Sequence, residues 1–325
     1  MIRAVLASAL CGLCVLATLG PGAAQGAFPG VPGPIAYSLV FNTEGSDGVV
    51  EREGGLLVGA RAKNPPLQLT TEPGDHSPAY SPNGRLVVFA GEGDEGGGDL
   101  FVVGSDGTGR RQVTSGPADD VDPYFFPDGA TIVFSRAVGP DHHIYSVRLD
   151  GTGLRELTSG HADDLDPVVS PSGRRIAFVS NRDEDRRGDR ADIFAMGPDG
   201  SGLRVLIDGA LYDHDPDYAP SGRRIAFVSN AGPGTANVFL ARGDGRRVRQ
   251  LTPCRPFPAR CRSHSHPAFS PDGRSIVMLG SGGRGGDIEV IRIDGRGLRI
   301  HESASVEEEG FGSVLGAPAW GPRPR

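Results

Sequence analysis

Short apolar runs recur along the chain, each bounded by turn residues, and no stretch after residue 30 sustains a helical apolar period. Ile176-Ala177-Phe178-Val179 is one such run, with Ser172-Gly173 before it and Ser180-Asn181 after it. Runs of this length, rich in β-branched and aromatic residues between glycine, proline and asparagine, predict strands. The unit that holds this run, residues 163–181, returns from Asp75, Asp119, Asp213 and His264, with a fragment at 317–322. A shared proline falls at Pro78, Pro123, Pro167, Pro216, Pro267 and Pro318, at intervals of 44 to 51 residues. That period, with strand-like content, is the signature of propeller blades.

Each unit predicts four strands. Strand A is the three residues after the proline. A turn such as Asn83-Gly84 or Asp272-Gly273 leads into the apolar strand B. Strand C is Asp192–Met196 or its equivalent, and an Asp-Gly turn (Asp106-Gly107, Asp150-Gly151, Asp199-Gly200) precedes strand D, which ends on Val113-Thr114, Leu157-Thr158 or Leu251-Thr252. The ends complete the count. Ile35-Ala36-Tyr37-Ser38 reads as a strand B without a strand A, and Pro318-Ala319-Trp320 as a strand A without a strand B. The expected fold is therefore all-β, a six-bladed β-propeller whose last blade is shared between the termini, which leaves no open sheet edge. Trp320 is expected in the core of that seam.

The pattern S-P-D-G-R-x-I-x-F-x-S-N, then I-F-x-M-x-x-D-G, then L-T, resembles the WD-repeat-like blades of TolB-type propellers over nearly all of residues 35–322. The resemblance is to stand-alone exported propellers of that superfamily, because the repeats begin almost directly after the first segment, where TolB itself has an α/β domain.

Composition adds a compartment. Arg3 precedes an apolar stretch from Ala4 to Leu19, and small residues follow up to Ala27. This reads as a secretory signal over 1–27, followed by a linker at 28–34, the propeller at 35–322 and a tail at 323–325. The alternative is an uncleaved anchor, although the apolar run is short for a span. The expected location is periplasmic, cell-envelope or secreted, with no membrane span in the mature chain. Cys254 and Cys261 then remain, and a pair in an exported protein predicts a disulfide. The net charge is −7 with both signs scattered along the sequence, so nucleic acid is not an expected partner. A monomer is expected.

In an A–B–C–D meander the A–B and C–D turns share one face, while the B–C loops and D–A connections share the other. The first face is uniformly tight and the second holds the variable loops, where binding usually resides. All eight histidines belong to the second face or its edge. Just before strand A lie Asp120 and Asp122, Asp164 and Asp166, Asp213 and Asp215, then His264 and His266. Strand A is innermost, so these groups are expected to ring the channel mouth, and alternation puts both members of a pair on one side of an extended segment. Such a ring suits a divalent cation, with His264, His266 and Asp215 as ligands, or a cationic ligand. Aspartate before a proline also caps turns, so structural and ligand-binding readings both stand at Asp120, Asp164 and Asp213. No nucleophile elbow or phosphate-binding loop occurs. The expected function is an exported scaffold that holds a protein, peptide or glycan of the envelope or exterior. The alternative is a metal-dependent, lyase-like polysaccharide enzyme, since His-x-His before this proline resembles oligogalacturonate lyases.

Overall fold

A computed structural model of the chain describes residues 28–44, 50–59, 66–182, 191–209, 212–231, 236–252, 262–282, 285–303, 314–315 and 318–324. Turn chemistry sets its local structure. After each of the first five strand A segments a glycine adopts φ between 66° and 71°, at Gly84, Gly129, Gly173, Gly222 and Gly273. Each Asp-Gly turn is closed by its own aspartate: Asp106 Oδ1 accepts from the Thr108 N–H at 3.0 Å, and Asp150 does the same for Thr152. These are Asx turns, which fix the hairpins locally.

The hairpins assemble into six antiparallel sheets. The first full blade comprises His76–Tyr80, Leu86–Glu92, Gly98–Gly104 and Arg111–Gln112. Blades two to five repeat that order, with innermost strands Asp120–Phe125, Asp164–Val169, Asp213–Tyr218 and His264–Phe269. The sixth is the shared blade. Pro32–Glu44 is its strand B, Val50–Gly59 its strand C and Leu67–Gln68 its strand D. Val314–Leu315 and Ala319–Pro322 together supply strand A, pairing Ile35 with Trp320 and Ala36 with Ala319. Ala319, Gly321 and Pro322 of this strand are buried. Trp320 is only half-buried, and its Nε1 donates to the Gly33 carbonyl at 3.1 Å.

The core lies between blades. Strands B and C carry directly opposed aromatic pairs, Phe89–Phe101, Phe178–Phe194 and Phe227–Phe239, with ring centroids 5.7–6.1 Å apart. Residues ahead of the first strand also pack. Phe28 is buried against Tyr124, with ring centroids at 5.8 Å, and the Gly30 N–H donates to the Pro271 carbonyl in an A–B turn. The strap that bears Phe28 thus packs at the tight-turn end. Cys254 and Cys261 lie outside the described residues. Among the described residues no helix is long and apolar enough to cross a membrane.

Candidate functional site

Strand A starts three residues upstream of the proline, so the Asp-x-Asp-Pro segment is part of the strand and not its approach. It is not uniformly extended. Ser77, Asp122, Asp166, Asp215 and His266, each directly before the shared proline, have φ between 49° and 54°. Each sits in a register shift against strand B, for example between Leu165 and Val168. A left-handed residue within a strand makes a bulge. Asp and His tolerate this region better than most side chains.

The bulge separates the two members of each pair, contrary to the expectation that alternation keeps them together. The first turns into its own blade. Arg136 grips Asp120 with both Nε (2.6 Å) and Nη2 (2.7 Å), and Arg182 and Ser180 hold Asp164. Arg136 also lies over the Phe134 and Tyr145 rings, and Arg182 over Phe178 and Phe194. Among the described residues no arginine takes this place at Asp213; burial lifts its carboxyl to about 6 against an opposing hydrogen bond from Ser229. His264 follows the same rule as these first aspartates: its Nε2 lies 3.2 Å from Glu289 Oε2, and Arg262 binds Oε1 of the same carboxylate.

The second members form the ring at the mouth. Ser77 Oγ donates to Asp122 Oδ1 at 3.2 Å, and Asp122 shares a side-chain hydrogen bond with Asp166. Asp166 accepts the Asp215 backbone N–H, and Asp215 Oδ2 accepts the His266 N–H at 2.8 Å. Each carboxylate therefore stitches its blade to the next. Burial, then the Asp122 and Asp215 carboxylates, push Asp166 well above the usual carboxylate range. Burial would also raise Asp215, but the His266 and His214 imidazoles hold it at about 2. His214 Nδ1 stands 3.2 Å from Asp215 Oδ2; burial opposes its charge, and Asp215 overcomes this and raises its pKa. His266, buried deeper, is lowered by that burial despite Asp215. Asp215 and His214 thus each favour the other's charged form. Among the described residues, the buried Asp166 Oδ1 and Asp215 Oδ1 find no hydrogen-bond partner.

His266 and Asp215 are brought together, while His264 is held apart on Glu289. Among the described residues no three His, Cys, Asp or Glu side chains form a group able to hold a metal ion. One residue that the sequence reading passed over stands at the mouth. Tyr212 is 36% exposed, its ring 5.1 Å from that of His214. It precedes the fourth Asp-x-Asp-Pro and has no counterpart in the other repeats, so repetition gave no signal for it; an aromatic beside a predicted ring was the available cue.

The fold and this mouth define a closed six-bladed propeller, polar at its loop end. The chain belongs to the TolB beta propeller family, whose domain model matches residues 68–255. Among solved structures it is similar to TolB from Acinetobacter baumannii, with 20% identity and a TM-score of 0.70 over 90% of this chain and 67% of that one. A putative TolB from Agrobacterium tumefaciens gives 22% identity and 0.53, over 67% and 88%. An oligogalacturonate lyase in complex with manganese gives 15% and 0.53, over 84% and 74%. These likenesses concern the fold. No curated protein matches the sequence.

Proposed function

We propose that the chain is an exported binding scaffold that holds a protein, peptide or glycan of the cell envelope or exterior on its loop-rich face. One observation carries this reading: an exposed aromatic, Tyr212, stands over a buried acidic ring whose Asp166 and Asp215 each keep an oxygen without a partner among the described residues. An aromatic beside desolvated polar groups is the usual anatomy of a binding hot spot. The leader-like residues 1–27 support export, and an oxidising destination supports a Cys254–Cys261 bridge that shapes one lip of this face. Peptide mapping without reductant is expected to recover the bridged pair; two alkylatable thiols refute it.

The test is affinity capture from envelope extract with the processed chain and two variants. Tyr212→Ala is expected to lose the captured partner at an unchanged denaturation midpoint, because the side chain is exposed. Asp128→Asn, in an A–B turn of the other face, is expected to retain it. Capture that survives Tyr212→Ala and fails with Asp128→Asn moves the site to the tight-turn face.

A further inference from the structure

The fold sorts the charges that the sequence scatters. Arginines gather on the tight-turn face: Arg174 and Arg223 follow A–B glycines, and Arg246, Arg247 and Arg296 lie in C–D turns, all exposed. The carboxylates of this face are mostly turn aspartates whose Oδ1 is bound to their own backbone, as at Asp106, Asp150 and Asp199. The opposite face carries the ring and the acidic loops around Asp94, Asp119 and Asp163. A chain of net charge −7 thus presents one basic face.

Two further observations concern that same face. Leu154, Leu203, Val248 and Leu298 are 40–49% exposed at the same position of four successive blades. Each is followed directly by an arginine, Arg155, Arg204, Arg249 or Arg299, so the rim alternates aliphatic and guanidinium groups. Gly30 is hydrogen-bonded to Pro271 in an A–B turn, so the described strap ahead of the first strand also packs on this side.

We propose that the tight-turn face seats on an anionic phospholipid surface, with the acidic mouth directed away from the bilayer. Guanidinium groups pair phosphate in a bidentate fork. Exposed aliphatic side chains beside them enter the interfacial region. Each arginine near such a surface adds to affinity, and the acidic face is repelled, which fixes orientation. A soluble polyanion would engage the arginines and leave the aliphatic rim without a partner. The reading of the loop face does not depend on this one, and either can fail alone.

The experiment is flotation of the processed chain with vesicles of phosphatidylglycerol and phosphatidylcholine, against phosphatidylcholine alone, at low salt. Binding to the anionic vesicles is expected to be stronger by about tenfold or more, since two arginines at the surface suffice for that, and to fall as salt rises. Arg174→Gln, Arg223→Gln, Arg246→Gln and Arg296→Gln together are expected to remove that excess. Leu154→Ser, Leu203→Ser and Leu298→Ser together are expected to weaken it. Denaturation midpoints equal to the parent's show that both variants fold; if the fourfold variant does not, the Arg246→Gln/Arg296→Gln pair is read in its place. Equal binding to the two vesicles overturns the proposal. So does binding that the serine changes leave intact and soluble polyphosphate competes away, which assigns the face to a polyanion.

Discussion

Asp213 and Asp215 stand two residues apart and are held at opposite ends of the carboxylate range. Burial lifts Asp213 to about 6, while Asp215, equally buried, is kept at about 2 by His266 and His214. An unfolded aspartate titrates near ~3.9. Folded Asp213 therefore retains its proton between about pH 4 and 6, and stability falls as pH rises through that window. Asp213→Asn, which resembles the protonated form, is expected to exceed the parent by about 2–3 kcal/mol above pH 6 and to match it below about pH 4. Asp215 has the opposite sign. Its contribution is complete above about pH 4 while the imidazoles are charged and is lost as pH falls toward 2, so Asp215→Asn should cost about 2 kcal/mol in mild acid, at about pH 5, and little near pH 2. Denaturant midpoints of both variants across this range check the pair. Parallel curves for the two would mean that the ring does not distinguish them.

At the scale of the strand, the Leu-Thr or Val-Thr ending of strand D does work that a longer strand would do. Strands Arg111–Gln112 and Arg155–Glu156 have only two residues, and beyond them Thr114 and Thr158 accept, through Oγ1, the N–H of Leu100 (2.9 Å) and Ile144 (2.8 Å). The third blade has Asp208 in that place, and there strand D runs Arg204–Ile207 and pairs Ile207 directly with Ile193. Thr114→Val is expected to cost about 1–2 kcal/mol by leaving a buried N–H unmet, with Thr114→Ser recovering part of it. Asp208→Val should be nearly neutral. Denaturant titration of the three separates the accounts. Such local devices explain why so much of the fold was legible: turns, strand ends and the blade period are each written in contiguous residues. The bulge before the shared proline was not. A glycine announces positive φ, but Asp122, Asp166 and Asp215 do not, and a residue before proline is ordinarily pushed toward the extended region. The alternation rule therefore put Asp120 and Asp122 on one side, where the structure sends one to Arg136 and the other into the ring.

For the whole molecule, sequence order fixed the number of blades, while the distribution of charge became visible only when the meander assigned each turn to a face. The same closure makes the ring cooperative. Ala319–Pro322 is the only described segment that pairs with the inner edge at Ile35 and Ala36, and it also carries the Arg323 N–H to the Val31 carbonyl (3.0 Å), which ties down the strap bearing Phe28. Gly84, in the first A–B turn at φ 71°, lies so close to the Pro322 carbonyl that a Cβ would collide with it, so seam and first blade are fitted to each other. A chain ending at Ala317 would lose the buried Ala319, the Trp320 bond to Gly33 and the anchor of Phe28 together. The expected loss is at least about 3 kcal/mol, the scale of truncating one large buried side chain, and the bared edge of Pro32–Glu44 should associate with other copies at high concentration. A synthetic peptide of residues 318–325 supplies a further readout. If the missing strand is the cause, the peptide raises the denaturation midpoint of the shortened chain in proportion to the logarithm of its concentration, and sedimentation shows the aggregates dispersing. A shortened chain that unfolds at the parent's midpoint, or one that the peptide leaves unchanged, would place the closure of the ring elsewhere.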